Sequence, residues 1–211
     1  MKRKRFLAMG SALMLLGSST IVSAGQASTD LSREEQVSQW YEAVQQEYSA
    51  IQSGGSEEEI RKYGFEAAIK AYEIEYDHET AVEKAKEFYG QQMALYLAAL
   101  ENGVKVTDEE VADYIEEYKT LTQEQGYQDE GLDLMASFPS EGEFWDYEEV
   151  KCIFPLTVKK YLTNIGSDYA EEMGIDVDSK FLPIQWYEKL DKAKAEAREK
   201  YKEEIEAMFT E

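Results

Sequence analysis

Apolar residues recur every three or four positions through most of this 211-residue chain. The pattern is clearest from residue 81 to residue 100, where the residues between the apolar ones are mainly Lys and Glu. The apolar members of that run are Ala81, Val82, Ala85, Phe88, Tyr89, Met93, Tyr96, Leu97 and Leu100. This spacing places them on one face of an α-helix. No stretch alternates between apolar and polar residues as a strand does, so the chain is predicted to be all-α.

Four short motifs predict where helices begin. Each has a Ser or Thr with a Glu three residues later, and they are Ser32–Glu35, Ser56–Glu59, Thr107–Glu110 and Ser140–Glu143. In such a capping box the hydroxyl accepts a hydrogen bond from the third amide of the helix. The Glu carboxylate accepts one from the amide of the capping residue. Helices are therefore expected to begin at these four positions.

Glycines predict where helices end, because glycine adopts the left-handed backbone conformation that closes a helix more readily than other residues. The helices expected to end in this way are those before Gly54, Gly103, Gly126 and Gly174. Between the first two of these glycines, a helical pattern at 65–76 either continues into the helix at 81–100 or breaks near Asp77.

The second half of the chain is expected to contain two irregular segments, a loop with a short helix at 127–139 and an extended link at 175–182. Pro155 is expected to kink or interrupt the helix between them, because proline lacks an amide donor and crowds the preceding turn. A single last helix is predicted at about 183–209. Together with a helical block at about 31–173 it is expected to form a single domain of residues 28–211.

The charge balance limits the partners of the chain. It has 22 Lys and Arg against 44 Asp and Glu, a formal net charge of −22. Such a surface repels nucleic acid phosphates and anionic membrane faces, so nucleic acid binding is excluded. The 15 Tyr, 8 Phe and 3 Trp supply enough apolar area for a folded core. The acidic surface favours basic partners.

The first 27 residues are expected to be a secretory signal peptide. Lys2, Arg3, Lys4 and Arg5 precede an uncharged apolar stretch from Phe6 to Leu16, and small residues follow up to Ala27. The apolar stretch is shorter than the roughly 20 residues that span a bilayer. Export by a Sec-type route and cleavage are therefore predicted, without stable membrane insertion afterwards. Removing the segment leaves 18 Lys and Arg against 44 Asp and Glu, a net charge of −26.

The sequence offers few groups for catalysis. His78 is the only histidine and Cys152 the only cysteine, so a zinc site made of Cys and His ligands is not expected. Cys152 is expected to be a small buried apolar residue. Asp129–Asp133 and Asp176–Asp178 resemble calcium loops but do not match the EF-hand spacing, which leaves weak calcium binding open. The chain is predicted to be a non-enzyme without a cofactor.

The segment from Gly64 to about Lys119 resembles the N-terminal domain of the SurA and PrsA group of extracytoplasmic chaperones. The residues that carry the resemblance are the helix Gln91–Gly103 and the following Val104–Ile115, which reads VKVTDEEVADYI. The segments Phe144–Leu162 and Trp186 onward suit the same architecture. The resemblance implies a multi-helix orthogonal array with a C-terminal helix packed back onto it.

The chain departs from this family in one respect. Complete members carry a parvulin prolyl isomerase domain before the last helix, whereas only Gly174–Leu182 occupies that position here. The histidines and the glycine-rich signature of the isomerase site are also missing. The resemblance therefore implies the chaperone half alone, without isomerase activity.

The function predicted from these observations is ATP-independent binding of unfolded or extended polypeptide outside the cytoplasm. The alternative is a dedicated interaction or assembly module for one secreted or cell-surface partner, and a homodimer is also compatible with the sequence. A client groove requires an open apolar concavity, best made from Met and aromatic side chains. The same residues also suit ordinary core packing. The candidate client-binding residues are Met93, Tyr96, Tyr114, Tyr118, Phe144, Trp145, Tyr147 and Trp186.

Overall fold

The computed structural model of the protein describes residues 31–125, 134–177 and 182–209. Its regular elements in these ranges are all helical, and the ranges contain no strand, which confirms the all-α prediction. The helices are α1 (Arg33–Gln52), α2 (Glu57–Glu73), α3 (His78–Glu101), α4 (Asp108–Gln125), α5 (Glu141–Met173), α6 (Ile184–Lys200) and α7 (Lys202–Met208). A single helical turn at 134–137 precedes α5. The predicted signal peptide (1–27), Gly126 and the segment Asp129–Asp133 lie outside the described residues.

The four predicted capping residues all cap helices. The amide three residues after each of them donates to its hydroxyl, at 3.3 Å for Ser32, 3.1 Å for Ser56, 3.2 Å for Thr107 and 3.2 Å for Ser140. At Ser32 and Thr107 the backbone amide also donates to the Glu carboxylate, which completes the capping box. Local sequence therefore sets the first turns of α1, α2, α4 and α5.

Three glycines close helices as predicted. Gly54, Gly103 and Gly174 have φ angles of 71°, 70° and 65°. The residue after each of them donates its amide to a carbonyl five residues earlier, as Val104 does to Ala99 at 2.8 Å and Ile175 to Ala170 at 2.8 Å. This is the hydrogen bond of a Schellman motif, and it requires the left-handed conformation that glycine adopts without strain.

The helical pattern at 65–76 is not continuous with α3. The chain leaves the helix after Glu73, and Asp77 caps the start of α3. The Asp77 carboxylate accepts hydrogen bonds from the amide of Thr80 at 3.0 Å and from its hydroxyl at 2.9 Å. Of the two alternatives left open by the sequence, the break near Asp77 is the correct one.

Pro155 does not interrupt α5, which runs from Glu141 to Met173. A proline inside a helix leaves the carbonyl four residues earlier without its amide donor. Cys152, Thr157 and Val158 are all buried on either side of Pro155. Burial of these side chains favours the helical path, so packing outweighs the local preference of proline.

The predicted single C-terminal helix is wrong in one detail, because the chain bends at Tyr201 and divides into α6 and α7. Tyr201 has φ −104° and ψ 15°, outside the helical region. Its hydroxyl donates to the Glu101 carboxylate at 2.7 Å, and Lys200 forms an ion pair with the same carboxylate. These contacts hold the bend against the end of α3, which explains why an uninterrupted apolar pattern does not give one straight helix.

Contacts between residues group the chain into two compact units, whose boundaries fall inside α3, α4 and α5. Unit 1 comprises the described residues of 31–85 and 112–152. Its core is rich in aromatic rings, and Phe138 lies within 5.4 Å of Tyr48, Phe144 and Tyr147 between ring centroids. Trp40 and Leu134 are buried in the same unit. The organisation of residues 28–211 as one domain stays a prediction.

Unit 2 comprises the described residues of 86–111 and 153–209. Its core cluster joins α3 and α5 to the two C-terminal helices, through Met93, Ala94, Leu95, Ala98, Val158, Ala197 and Ile205. Gly90 of α3 leaves room for α7, since a Cβ there would lie 3.2 Å from Ile205. The C-terminal helices therefore pack back onto the second half of α3, as the sequence predicts.

Candidate functional site

Four exposed apolar side chains of unit 2 lie in sequence on either side of residues 178–181, which are outside the described residues and connect α5 to α6. Four large apolar residues within fifteen positions are about half exposed or more: Met173 at 56%, Val177 at 49%, Ile184 at 68% and Tyr187 at 51%. We call these four residues the α5–α6 surface. Other large apolar residues of the described ranges that are more than a third exposed are spread over α3, α5, α7 and the chain before α1. Clustered exposure is the stronger sign of an interaction site.

The end of α5 and the start of α6 determine where Met173 and Ile184 lie. Gly174 closes α5 directly after Met173, and the Schellman motif returns the chain past Ile175 toward Val177. Pro183 precedes the first residue of α6 with extended dihedral angles. The proline ring fixes φ at about −65°, which matches the φ of −64° at this capping position. Met173 and Ile184 are consequently the last and first residues of two well-defined helices.

Trp186 anchors the first turn of α6 on α5. Its indole Nε1 donates a hydrogen bond of 3.0 Å to the carbonyl of Gly166. A Cβ on Gly166 would lie 2.7 Å from the indole Cζ2 and 3.1 Å from Cε2, so the ring lies directly against the helix backbone. One turn further along each helix, the Lys189 ammonium lies 5.7 Å from the centre of the Tyr169 ring. Trp186 and Lys189 make these contacts from the face of α6 that packs against α5.

Ile184 and Tyr187 are left exposed by the geometry of α6. A helix turns by about 100° per residue, so Ile184 lies about 160° and Tyr187 about 100° around the axis from Trp186. The inner stripe of α6 runs through the half-buried Trp186 and Leu190 to the buried Ala197, and neither Ile184 nor Tyr187 belongs to it. The Tyr187 ring contacts the edge of the Trp186 indole at 5.1 Å and presents the rest of its surface to solvent.

Acidic residues are close in sequence to these apolar side chains. Asp168, Glu171, Glu172 and Glu188 are exposed, as is Asp176 next to Val177. Lys189 is the one cation among the described residues between 166 and 190. The charged residues nearest in sequence to the four apolar side chains, among the described residues, are thus mostly acidic.

The structure divides the eight predicted client-binding residues between the two units. Unit 2 contains Met93, Tyr96 and Trp186, and unit 1 contains Tyr114, Tyr118, Phe144, Trp145 and Tyr147. Met93, Phe144, Trp145 and Tyr147 are buried in the cores, and the other four are half-buried. The client-binding role of the set stays a prediction, and a role for its four buried members requires the core to open.

Several of the predicted aromatic residues contact one another in unit 1. Tyr118 lies 6.1 Å from Tyr114 and 5.6 Å from Trp145 between ring centroids, and Trp145 lies 5.1 Å from Phe144. Lys119 places its ammonium 4.9 Å from the centre of the Trp145 ring. Packing of these side chains against one another therefore explains the presence of the aromatic residues without a binding role.

Two open hollows lie on the surface of unit 1. One, of about 470 Å³, is lined by Gln45, Gln46, Ser49, Ala50, Ser53, Glu59 and Tyr63. The other, of about 480 Å³, is lined by Asp113, Glu116, Glu117, Thr120 and Leu121. Both linings are mostly polar or acidic, and neither contains any of the eight predicted residues. Neither hollow is the apolar groove that the sequence predicts.

A buried ion pair joins α1 to α5 in unit 1. Glu47 is 2% exposed, and its carboxylate accepts hydrogen bonds from Lys151 at 2.6 Å and from the Tyr147 hydroxyl at 2.9 Å. Cys152 is next to Lys151 and fully buried, as predicted. Burial, reinforced by the nearby Glu148 and Glu149 charges, raises the pKa of its thiol to about 12. The thiol is therefore protonated at neutral pH and poorly suited to nucleophilic chemistry.

His78 has a structural partner. Its Nδ1 lies 2.5 Å from the Glu73 carboxylate, which also accepts a hydrogen bond from Lys70 at 2.7 Å. Burial of Glu73 raises its pKa, but the hydrogen bonds and charges of Lys70 and His78 outweigh that effect and lower the pKa below 4.5. The described part of the chain brings no three His, Cys, Asp or Glu side chains together as metal ligands.

No helix among the described residues combines the length and the apolar character needed to cross a membrane. A scan against protein-family models, a search of curated proteins and a search of solved structures each found no match to this chain. The resemblance to the SurA and PrsA group therefore stays a prediction from the sequence.

The residues of the α5–α6 surface were not predicted as a site, although the sequence contains a signal for two of them. Ile184 and Tyr187 are large apolar residues that fall off the helical stripe Trp186, Leu190, Ala193 and Ala197. An apolar residue off the stripe has no core to enter. Met173 and Val177 give no comparable signal, because their exposure depends on where the chain turns after Gly174.

Proposed function

We propose that this protein is an exported, ATP-independent binding protein for unfolded or extended polypeptide, and that the α5–α6 surface is where it binds. Four exposed apolar side chains that are close in sequence, Met173, Val177, Ile184 and Tyr187, support this proposal. On this proposal the client contact lies on an open surface at the ends of two helices.

The size of the apolar surface suits reversible binding. Complete burial of a large apolar side chain contributes about 1.5–3 kcal/mol. The four side chains are about half exposed, so a client that covers them recovers roughly 1 kcal/mol from each. Association costs at least about 4 kcal/mol in lost freedom of motion. The two amounts are about equal, so the apolar contact of these four side chains does not hold a client by itself, and further contacts must supply the net affinity.

The high negative charge supports the same role. A protein with exposed apolar side chains tends to associate with itself. At a net charge of −22, copies of this chain repel one another and stay in solution. The protein can thus keep its apolar surface uncovered until a polypeptide of lower or opposite charge arrives.

An aggregation assay tests this proposal. The protein is mixed at near-equimolar ratio with several unrelated unfolded proteins, and light scattering is followed as they aggregate. The test variant is Ile184→Ser with Tyr187→Ser. The control is Leu31→Ser with Val150→Ser, which removes two apolar side chains that are each about 40% exposed in unit 1.

The proposal predicts that the wild type and the control suppress aggregation of every client, and that the Ile184/Tyr187 variant loses most of this effect. It is refuted if the wild type suppresses none of the clients. Equal suppression by all three proteins would show that binding takes place elsewhere. Saturable binding to a single native partner, with no effect on unfolded proteins, would favour the dedicated assembly module.

A further inference from the structure

We infer that the hollow of about 470 Å³ between α1 and α2, which we call the α1–α2 hollow, binds a guanidinium group such as that of an Arg side chain. Its described lining residues all belong to unit 1, whereas the α5–α6 surface belongs to unit 2. The inference therefore does not rest on the proposed function. The volume of the hollow is within the range of small-molecule sites, roughly 300–1,000 Å³.

The spacing of the lining residues brings two helix faces to one hollow. The lining residues at the end of α1 are separated by three or four positions, and they are Gln46, Ser49, Ala50 and Ser53. Such spacing places them on one face of the helix. Glu59 and Tyr63 are four positions apart on α2, so their side chains are also neighbours. The hollow lies where these two faces meet, next to the turn at Gly54 and Gly55.

The Glu59 carboxylate is held against the turn that joins the helices. A Cβ on Gly55 would lie 2.8 Å from Glu59 Oε2 and 2.9 Å from the Ala50 carbonyl oxygen, so both oxygens are close to one point beside Gly55. The backbone amide of Glu59 donates to Ser56. In the part of the chain that the structure describes, its carboxylate has no hydrogen-bond or ion-pair partner. The negative charge of Glu59 is therefore available to a ligand.

The α1 side of the hollow adds further hydrogen-bond acceptors. The hydroxyls of Ser49 and Ser53 donate to carbonyls of their own helix, those of Gln45 at 2.8 Å and Ala50 at 3.1 Å. Each hydroxyl oxygen keeps lone pairs that can accept a hydrogen bond, and the exposed Gln46 offers its amide oxygen. The described lining contains no Lys, Arg or His. The α1–α2 hollow is thus rich in acceptors and holds one negative charge.

Tyr63 makes a guanidinium the best-suited cation. Its half-buried side chain lines the hollow one turn after Glu59. A guanidinium is planar, so it stacks on an aromatic face, and its five N–H donors form a fork that matches a carboxylate. An ammonium has three donors and no plane to stack. A ring next to a carboxylate, with hydroxyl and amide oxygens opposite, therefore complements a guanidinium more fully.

The same groups argue against other ligands. An anion is repelled by Glu59 and by the net charge of −22. An apolar ligand would leave the acceptors of the lining without donors. A metal ion would have one carboxylate, and the described residues bring no three His, Cys, Asp or Glu side chains together. A cation that carries several N–H donors is the ligand that fits.

An NMR titration of the full chain labelled with ¹⁵N tests this inference. The ligands are Nα-acetyl-arginine methylamide and its lysine and citrulline analogues, in which the side chain alone can carry charge. Citrulline has nearly the shape of arginine but is neutral. The binding variants are Glu59→Gln and Tyr63→Leu. The control, Glu58→Gln, removes the same charge from an exposed neighbouring position that does not line the hollow.

We expect the arginine compound to shift the amide signals of residues 45–63 and to bind with a dissociation constant of about 1 mM, as suits an open site. The citrulline compound should bind about tenfold more weakly, because its hydrogen bonds are not charge-assisted, and the lysine compound should lie between them. Glu59→Gln should weaken arginine binding about tenfold and Tyr63→Leu about threefold. Glu58→Gln should bind as the wild type does.

Three outcomes would overturn the inference. Equal affinity for the arginine and citrulline compounds, or no binding of either, rules out a cation site. Lysine that binds as tightly as arginine rules out a guanidinium site. Equal weakening by Glu58→Gln and Glu59→Gln, or signal changes only outside 45–63, rules out this hollow, because the effect then comes from net charge or from another place.

A second ligand identifies the source of the guanidinium. A blocked peptide with one arginine between four alanines is titrated beside the single amino acid. Tighter binding of the peptide points to the Arg side chain of a polypeptide, and equal affinity shows that a free guanidinium compound is sufficient. Both results support the site. The aggregation assay with the Ile184/Tyr187 variant stays independent, so either proposal can fail without the other.

Discussion

Gly166→Ala tests the packing that holds α6 in place beside the α5–α6 surface. In an ordinary helix interior, replacing Gly by Ala stabilises a protein by about 0.5–1 kcal/mol, because alanine loses less backbone freedom on folding. At Gly166 the new methyl group would lie 2.7 Å from Cζ2 and 3.2 Å from Nε1 of Trp186. A rigid indole cannot absorb such an overlap by a small rotation, so the ring has to move.

The expected cost follows from these contacts. Forcing one extra carbon into a packed site costs about 1–3 kcal/mol. Moving the ring also removes the 3.0 Å hydrogen bond from Trp186 to the Gly166 carbonyl, which contributes about 1 kcal/mol. Subtracting the helix-propensity gain leaves a net loss of about 2 kcal/mol in the free energy of unfolding. Urea denaturation followed by circular dichroism measures this loss.

Gly142→Ala is the matched control in the same helix. A Cβ on Gly142 meets only the Ser140 hydroxyl, at an ordinary 3.7 Å, so this change should be neutral or stabilise by up to about 1 kcal/mol. Combining Gly166→Ala with Trp186→Ala should turn the loss at Gly166 into a small gain, because the clashing ring is gone. The packing argument is refuted if Gly166→Ala stabilises the wild type as Gly142→Ala does.

Three further predictions concern buried and ionised groups. Lys151→Met leaves the Glu47 carboxylate buried without its cation and should lower the free energy of unfolding by about 3 kcal/mol. Lys160→Met, which breaks a partly exposed ion pair, should cost less than about 1 kcal/mol in the same urea titration, and equal losses would contradict the argument. Cys152 should react with a disulfide reagent at about pH 8 only after unfolding, because its native pKa is about 12; rapid labelling of the folded protein would contradict its burial. Because the pKa of Glu73 is lowered in the folded state, the stability it contributes is present above its unfolded pKa and is lost as pH falls through the folded value. The thermal midpoint of the wild type should therefore drop more between about pH 5 and about pH 3 than that of Glu73→Gln, and parallel curves would refute this.

The elements that sequence predicts well here are those fixed by neighbouring residues. Ser32 and Thr107 start helices through bonds that span three residues, and Gly103 and Gly174 end them through bonds that span five. Such signals are complete within one turn, so they can be recognised without knowledge of the fold. The order of helices and turns could be predicted from the sequence for that reason.

Sequence predicts less where distant residues decide the outcome. Pro155 stays inside a helix because its neighbours are buried, and Tyr201 leaves one because Glu101, a hundred positions earlier, holds its hydroxyl. Periodicity alone cannot distinguish a buried aromatic residue from one that lines a groove. Phe144 and Tyr147 are buried in the core, which the sequence pattern did not distinguish from the lining of a groove.

The distribution of tryptophan gives each compact unit its own natural fluorophore. Trp40 and Trp145 are buried in unit 1, whereas Trp186 is the tryptophan of unit 2 and is partly open to solvent. Buried and open indoles differ in emission wavelength and in access to a soluble quencher such as iodide. Replacing Trp186 by Phe, or Trp40 and Trp145 together, therefore yields reporters with which the melting of one unit can be timed against that of the other.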